Sequence, residues 1–408
     1  MDTILRNASI TSNMDNQLVD IGIADGKIEA IQANLTADGQ EFDLKGCMVT
    51  PGFIETHIHL DKSCILERCH SDKGDLEEAI REGAKAKAEF TAEDVYDRGK
   101  RTLDKCLVNG TTHMRTHLEV DPVIGLTGLE GIRTLISDYK WAMDIEICVF
   151  PQEGLLNNPG TDELMVAALN NGATVVGGAP YTDSNPHGQI DRLFELAREF
   201  DTDIDMHLDF GPDPTDLDLD YVCSLTEQFD YGGRVTIGHV TKLSAVSTNR
   251  LQEVAKTLAA AGVALTVLPS TDLFLMGRHQ DHSVMRGVTP AHKLLGEGVN
   301  CSLSTNNVLN PFTPFGDCSL VRMANLYANT AQIGQREEII ECFRMITTRA
   351  AKLLRLDDYG LIEGNPADLV ILNCTDRATA IAELAQPLYG FKRGRLTFSH
   401  SAAHINYP

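Results

Sequence analysis

Between residues 49 and 354, short apolar or β-branched runs alternate with stretches of helical period. TTHMRTHLEV precedes GLEGIRTLISDYKWAM, and IEICVFP precedes TDELMVAALNNG. The same texture continues through ATVVGGAP, DIDMHLD, RVTIGHV, VALTVLPS and VNCSLS, each followed by a helix-like stretch, the sixth being PAHKLLGEG. A strand that must pair parallel with the next needs a long crossover, and a helix supplies it. Repeated seven or eight times over roughly 300 residues, this pattern predicts a closed (β/α)8 TIM barrel, with an open doubly wound sheet as the runner-up. No G-x-G-x-x-G follows the first strand and no Walker-A pattern occurs, so a nucleotide cradle is unsupported.

The two ends of the chain have a different period. TILRNASI, VDIGIADGKIEAI with a turn at Asp25-Gly26, and EFDLKGCMVT read as short strands. GLIEGNPADLVILNC and YGFKRGRLTF repeat that texture near the C-terminus. A small β-sandwich domain assembled from residues 1–48 and 355–408 is expected, flanking a barrel of residues 49–354.

Charge narrows the partners. Lys and Arg number 35 against 58 Asp and Glu, a net charge of −23. That field repels phosphate backbones and anionic lipid, so neither nucleic acid nor membrane is an expected partner. No run of about 18 apolar residues is present to span a bilayer. The ten cysteines are scattered without a C-x-x-C pair, which suits reduced thiols in a cytoplasmic enzyme.

Thirteen histidines are present, and four sit where a strand yields to a loop. PGFIETHIHLDKS places His57 and His59 at i and i+2, hence on one face of a strand. His207 ends DIDMHLD and His239 ends RVTIGHV. In a barrel these ends share one rim, where active sites lie, and converging imidazoles there suit a metal. His113 and His117 flank Arg115, with strand-end packing and a site role equally weighted. His279 and His282 read as loop residues, and His187, His292, His400 and His404 as solvated or structural. The acidic run GPDPTDLDLD reads as a solvated loop rather than a calcium loop.

These motifs occur in an order that resembles the amidohydrolase superfamily. Within it the chain is similar to the cytosine deaminases and the N-isopropylammelide aminohydrolases. PGFIETHIHLDKS, RTHLEV, CVFPQEG, DIDMHLD, IGHVTK, MGR followed by RGVT, and NPFTPFG carry the resemblance across essentially the whole chain. It implies that His57, His59 and His207 bind one divalent metal, zinc or iron. It places His239 beside the attacking water and sets Gln152 against the amide edge of a heterocyclic substrate. A bound metal lowers the pKa of water from about 15.7 towards 7, and a Gln offers both a donor and an acceptor. Hydrolytic deamination or aminohydrolysis of a pyrimidine- or triazine-like ring by a homo-oligomeric enzyme is the implied function.

The chain departs from that pattern twice. Where the family has a metal-binding, proton-accepting aspartate, this sequence has Asn306, followed by Asn307 where cytosine deaminases have a second aspartate near the substrate. Where cytosine deaminases have a proton-shuttling glutamate, it has Phe210; Asp209 falls one residue earlier and should point elsewhere. An amide cannot take a proton from water, so His239 is the expected base, with Asn306 a neutral ligand. Lys62 either orients a substrate anion or pairs with Asp61 or Glu55, and Lys242 is expected at the surface. A cyclic-amide or amide hydrolase is the alternative on the same fold. A catalytically degenerate ligand-binding barrel is the alternative that the two missing carboxylates raise.

Overall fold

The computed structural model describes residues 1–10, 17–401, 403, 405 and 406; His404 lies outside them. Strands β1 (Thr3–Ala8), β2 (Val19–Ala24), β3 (Lys27–Gln32) and β4 (Gln40–Asp43) form one sheet in the order β3-β2-β1-β4. The β2–β3 reversal uses Asp25 at φ 50° and Gly26 at φ 77°. Two consecutive positive φ values make the hairpin turn whose twist matches the flanking strands.

After β5 (Met48–Pro51) the chain enters the barrel. Its strands are β6 (Phe53–Ile58), β7 (Thr111–Glu119), β8 (Asp144–Phe150), β9 (Val175–Val176), β10 (Asp203–Leu208), β11 (Val235–His239), β12 (Val263–Val267) and β13 (Cys301–Leu303). They lie side by side in chain order, each pair parallel. Helices such as Ala92–Val108, Pro186–Phe200 and Thr248–Ala261 cover the outside, and their buried faces join the strands in one apolar core.

The barrel closes at a seam between β6 and the segment after β13. Asn306 N donates to His57 O and His59 N donates to Asn306 O, both at 2.9 Å. Below them His57 N donates to Ser304 Oγ at 2.8 Å, and the Thr56 and Ser302 hydroxyls meet at 2.9 Å. Glu55 lies fully buried beneath the seam and accepts from the Ser304 hydroxyl and from Thr305 N at 2.7 Å. Burial pushes its pKa up to about 7, against the pull of those donors.

Two helices follow β6, Leu76–Lys87 and Ala92–Val108, capped by the Asp75 and Thr91 side chains. The stretch after β12 differs from expectation. A helix starts at once at Pro269–Leu275, and PAHKLLGEG yields only the turn and a half of Ala291–Leu295. Pro269 occupies the first helical turn, where its missing N–H is harmless.

The chain returns to the N-terminal sheet through β14 (Leu369–Leu372), β15 (Pro387–Lys392) and β16 (Arg395–Ser399), which with β5 form a sheet ordered β16-β15-β14-β5. Leu5, Ile21, Ile23 and Ile28 of the first sheet share one apolar cluster with Val49, Leu369, Ile371 and Phe391 of the second. The two sheets therefore pack as a β-sandwich contributed by both ends of the chain. All ten cysteines are free, and no helix among the described residues is long and apolar enough to cross a membrane.

A buried lysine ties this sandwich to the barrel. Lys392 Nζ, on β15, lies 2.7 Å from Asp368 Oδ2 and 2.7 Å from Asp144 Oδ2, and donates to Thr112 O at 3.1 Å. His113 stands against the same group and is no part of the rim site; burial, with Lys392 beside it, pushes its pKa down to about 4. Removing the ammonium takes from Asp368, only 8% exposed, the lysine at its Oδ2 and leaves it the Arg393 N–H at Oδ1. Lys392→Met should therefore lose about 3 kcal/mol in urea unfolding, and adding Asp368→Asn should recover part of that loss.

Candidate active site

Three strands deliver four histidines to the C-terminal mouth of the barrel. His57 lies on β6 with His59 just past its end, His207 on β10 and His117 on β7, each 3% exposed or less. His207 Nε2 lies 3.1 Å from His57 Nε2 and 3.2 Å from His59 Nε2. Ligand atoms of all four rings fall within 4.8 Å of one another. Burial pushes the pKa of each well below the ordinary imidazole value, and neighbouring charges push it further. They are neutral rings, with nitrogen lone pairs to offer.

The tautomers follow from the surrounding groups. His207 Nδ1 faces Gly178 O at 3.3 Å, so Nδ1 carries the hydrogen and Nε2 turns its lone pair inward. Gly178 is required there: an added Cβ would lie 2.3 Å from Leu193 Cδ1. Behind the cluster Asp205 Oδ1 lies 3.9 Å from His57 Nδ1 and 3.6 Å from His117 Nε2, while its Oδ2 accepts from Arg115 Nη1 at 2.8 Å. Converging lone pairs repel unless they share a cation. The Asn306 carbonyl Oδ1, buried and without a hydrogen-bond partner among the described residues, is a further unused donor. Three neutral imidazoles and an orphaned carbonyl oxygen fit a divalent metal ion.

Beside them stands a second assembly. His239 Nδ1 lies 2.6 Å from Asp272 Oδ1, and both side chains are buried. The carboxylate holds the hydrogen on Nδ1 and leaves Nε2 as an acceptor. Asn306 Nδ2 is 3.3 Å from that nitrogen and can only donate to it, which turns Asn306 Oδ1 away from His239. Both residues adopt the left-handed backbone region, His239 at φ 69° and Asn306 at φ 65°. Strain of this kind, about 1–3 kcal/mol each, persists only where neighbours hold the backbone. Here the Thr289 hydroxyl donates to the carbonyls of His239 and Val240, at 2.8 and 2.7 Å. Asp272 is absent from the sequence reading; its one signal was its place on the short helix directly after β12.

The opposite wall carries the remaining residues singled out from the sequence. Lys62 Nζ lies 2.6 Å from Glu119 Oε1 and 3.1 Å from Gln152 Oε1, and 4.1 Å from the centre of the Phe312 ring. Its partner is thus Glu119, neither Asp61 nor Glu55. Burial alone would raise the Glu119 pKa, but Lys62 and Lys87 outweigh it and hold it near 2. Gln152 has its carbonyl committed to Lys62, so it presents donors only, a change from the donor-and-acceptor edge expected. Phe210 packs edge-on to His239, ring centres 5.3 Å apart, and Asn307 lines the same cavity. Asp209 turns away, accepting from Asp218 N and Leu219 N at 3.0 Å each, with the Lys242 ammonium 3.3 Å from it.

The cavity between the two walls is narrow, with about 260 Å³ of free space. Leu76, Phe210 and Leu275 separate it from a wider opening of about 930 Å³. A larger cavity, about 1130 Å³, lies further out along Phe274, Val284 and Phe315 and touches none of the histidines among the described residues. Volume points there, but the convergent polar groups mark the narrow cavity as the site. His187, His279, His282, His292 and His400 line no part of it.

Among known proteins, the chain is 28% identical over 405 residues to N-isopropylammelide isopropyl amidohydrolase of Pseudomonas sp. (strain ADP), covering 97% of this chain and 96% of that protein. It is 28% identical over 363 residues to pterin deaminase of Rhizobium rhizogenes, covering 87% and 82%. The crystal structure of 5-methylcytosine deaminase from Klebsiella pneumoniae liganded with 5-fluorocytosine superposes with a TM-score of 0.94 at 28% identity, covering 99% of each chain. The model of the amidohydrolase family matches residues 40–139 and 140–398. A histidine-rimmed barrel, a sandwich built from both ends and a match over most of its length agree: this chain belongs to the amidohydrolase family.

Proposed function

We propose that this protein is a metal-dependent aminohydrolase that displaces an amino group from a nitrogen heterocycle, of the pyrimidine or triazine kind. The pairing of a lone-pair-rich histidine cluster with the His239–Asp272 couple carries this proposal. His57, His59, His207 and Asn306 Oδ1 would hold one divalent ion, zinc or iron. When bound, such an ion supplies Lewis acidity and makes a water molecule acidic enough to react near neutral pH.

The chain's own groups do the rest. Asn306 and Phe210 cannot accept a proton. Among the described residues lining the cavity, His239 is the base with a carboxylate behind it. Its Nε2 takes the proton of the attacking water, and Asp272 stabilises the imidazolium that forms. Water oxygen bonds to the ring carbon that bears the amino group. The C–N bond breaks, His239 returns the proton to the leaving nitrogen, and ammonia or an amine departs from a ring carbon that keeps the hydroxyl, whose proton then shifts to a ring nitrogen to give the carbonyl tautomer. Lys62, Gln152 and Asn307 orient the ring, while Phe210 and Phe312 keep bulk water out.

His239→Ala should lower kcat by about 10²- to 10⁴-fold, the usual worth of a positioned acid–base group, with the melting temperature and metal content of the parent protein. Normal turnover by that variant would overturn the mechanism. Elemental analysis of protein prepared without chelators should find about one equivalent of transition metal, the single-ion stoichiometry of a three-histidine catalytic site. Stripping it should lower the melting temperature by several degrees, and reloading should restore it, because an ion bound only by the folded state stabilises that state. Ammonia or amine release from a panel of aminopyrimidines and aminotriazines tests the reaction itself. No release from the parent protein, with release switched on by Asn306→Asp, would identify a silent binding barrel instead.

A further inference from the structure

We propose that the cavity selects an oxo-substituted heterocycle in its anionic form. Its recognising wall holds two amides and an ammonium in orientations that present only donors. This deepens the heterocycle assignment above and rests on it for the kind of ring.

The amide orientations follow from their neighbours. An ammonium has three donors and no acceptor, so the Gln152 atom 3.1 Å from Lys62 Nζ must be the carbonyl oxygen. The Gln152 Nε2 group is then the inward end; it is buried and makes no hydrogen bond of good geometry among the described residues, with the Tyr181 hydroxyl beside it. Asn310 is fixed in the same way. Its Oδ1 accepts from Phe312 N at 3.0 Å and Thr313 N at 3.1 Å, so its Nδ2 is the group 2.7 Å from Asn307. Asn307 must accept there through Oδ1, and its remaining hydrogen-bonding capacity is the Nδ2 donor pair. Neither orientation depends on a choice made at the cavity itself.

The carboxylates nearby are all engaged elsewhere. Glu119 holds Lys62 with one oxygen and Lys87 with the other, at 2.6 and 2.7 Å. Asp272 holds His239, and Asp209 caps the start of the helix Leu219–Gln228. Among the described residues, no carboxylate lines the cavity. The Thr271 hydroxyl pairs with that of Thr313 at 2.6 Å, and Tyr181, whose pKa burial pushes up, stays a neutral phenol. A ring edge rich in N–H would meet N–H across this wall and leave buried donors unpaired. An edge of carbonyl oxygens and a deprotonated ring nitrogen would satisfy Gln152 Nε2 and Asn307 Nδ2, with the Lys62 ammonium close to its charge.

Equilibrium binding separates the two edges, with ammonia release from melamine checked in the same solutions so that binding is read apart from turnover. Barbituric acid is an oxo-rich six-membered ring, anionic at neutral pH, with no amino group to displace; melamine is a ring of the same size edged with amino donors. Calorimetric titration of the purified protein, with its metal content measured, should show barbiturate binding about tenfold or more tighter than melamine. Lys62→Met should weaken barbiturate by about tenfold or more and, by freeing the Gln152 carbonyl, should not weaken melamine. Asn307→Asp, which is isosteric and replaces donors with an acceptor, should weaken barbiturate similarly and improve melamine, so the test survives if Lys62→Met fails to fold. Melamine binding as tightly as barbiturate, no binding of barbiturate, or unchanged barbiturate affinity in both variants would overturn the proposal. Preserved barbiturate selectivity without amine release from any ring would remove the aminohydrolase assignment and leave this one standing. Amine release with a preference for amino-edged rings would do the reverse.

Discussion

The seam that closes the barrel organises everything at its mouth. Strand β6 and the segment after β13 are joined there by two backbone hydrogen bonds, and those bonds belong to His57, His59 and Asn306 themselves. Circular closure of the sheet and placement of the site are therefore one event. The hydroxyls of Thr56 and Ser302 meet beneath the seam, while Ser304 and Thr305 give Glu55 its partners. Any shift of register at the seam would turn His57 and His59 to the wrong face, since side chains alternate along a strand.

The site has two sides with opposite hydrogen-bonding sense. On one side neutral imidazoles and the Asn306 carbonyl offer lone pairs; on the other Lys62, Gln152 and Asn307 offer hydrogens. Burial sustains both. It strips the histidines of protons, and it makes each unpaired donor expensive enough to discriminate between ring edges. Lys62 and Lys87 share the Glu119 carboxylate and together hold it ionised against its burial. Asn306 and Phe210, which stand where the resemblance led carboxylates to be expected, line a pocket among whose described lining residues there is no carboxylate.

Much of this was legible in the residues. The H-x-H spacing of His57 and His59 works because a strand has period two, and the strand-end positions of His207 and His239 marked one rim. What stayed hidden depends on partners remote in sequence. Lys62 has carboxylates at Asp61 and Glu55 close by in the chain, yet its partner is Glu119, on the next barrel strand. Gln152 was expected to show both faces of its amide, and a lysine 90 residues away takes one of them. Asp272 gave no pattern, because its function comes from a helical turn that aims it at His239, 33 residues back. His117 was left undecided, and its ring lies 3.6 Å, centre to centre, from that of His57.

The seam also dictates an order of events in folding. Its two sides lie about 250 residues apart in the chain, and closing so long a loop costs entropy before any contact repays it. Seven strands can pair with chain-adjacent neighbours first, while β6 waits with one edge bare. Until residues near 306 arrive, His57 and His59 face an open groove. A cell making this protein must therefore keep an unpaired apolar edge from foreign strands through most of synthesis. A divalent ion that needs both sides of the seam would find its full site only once the last strand is in place.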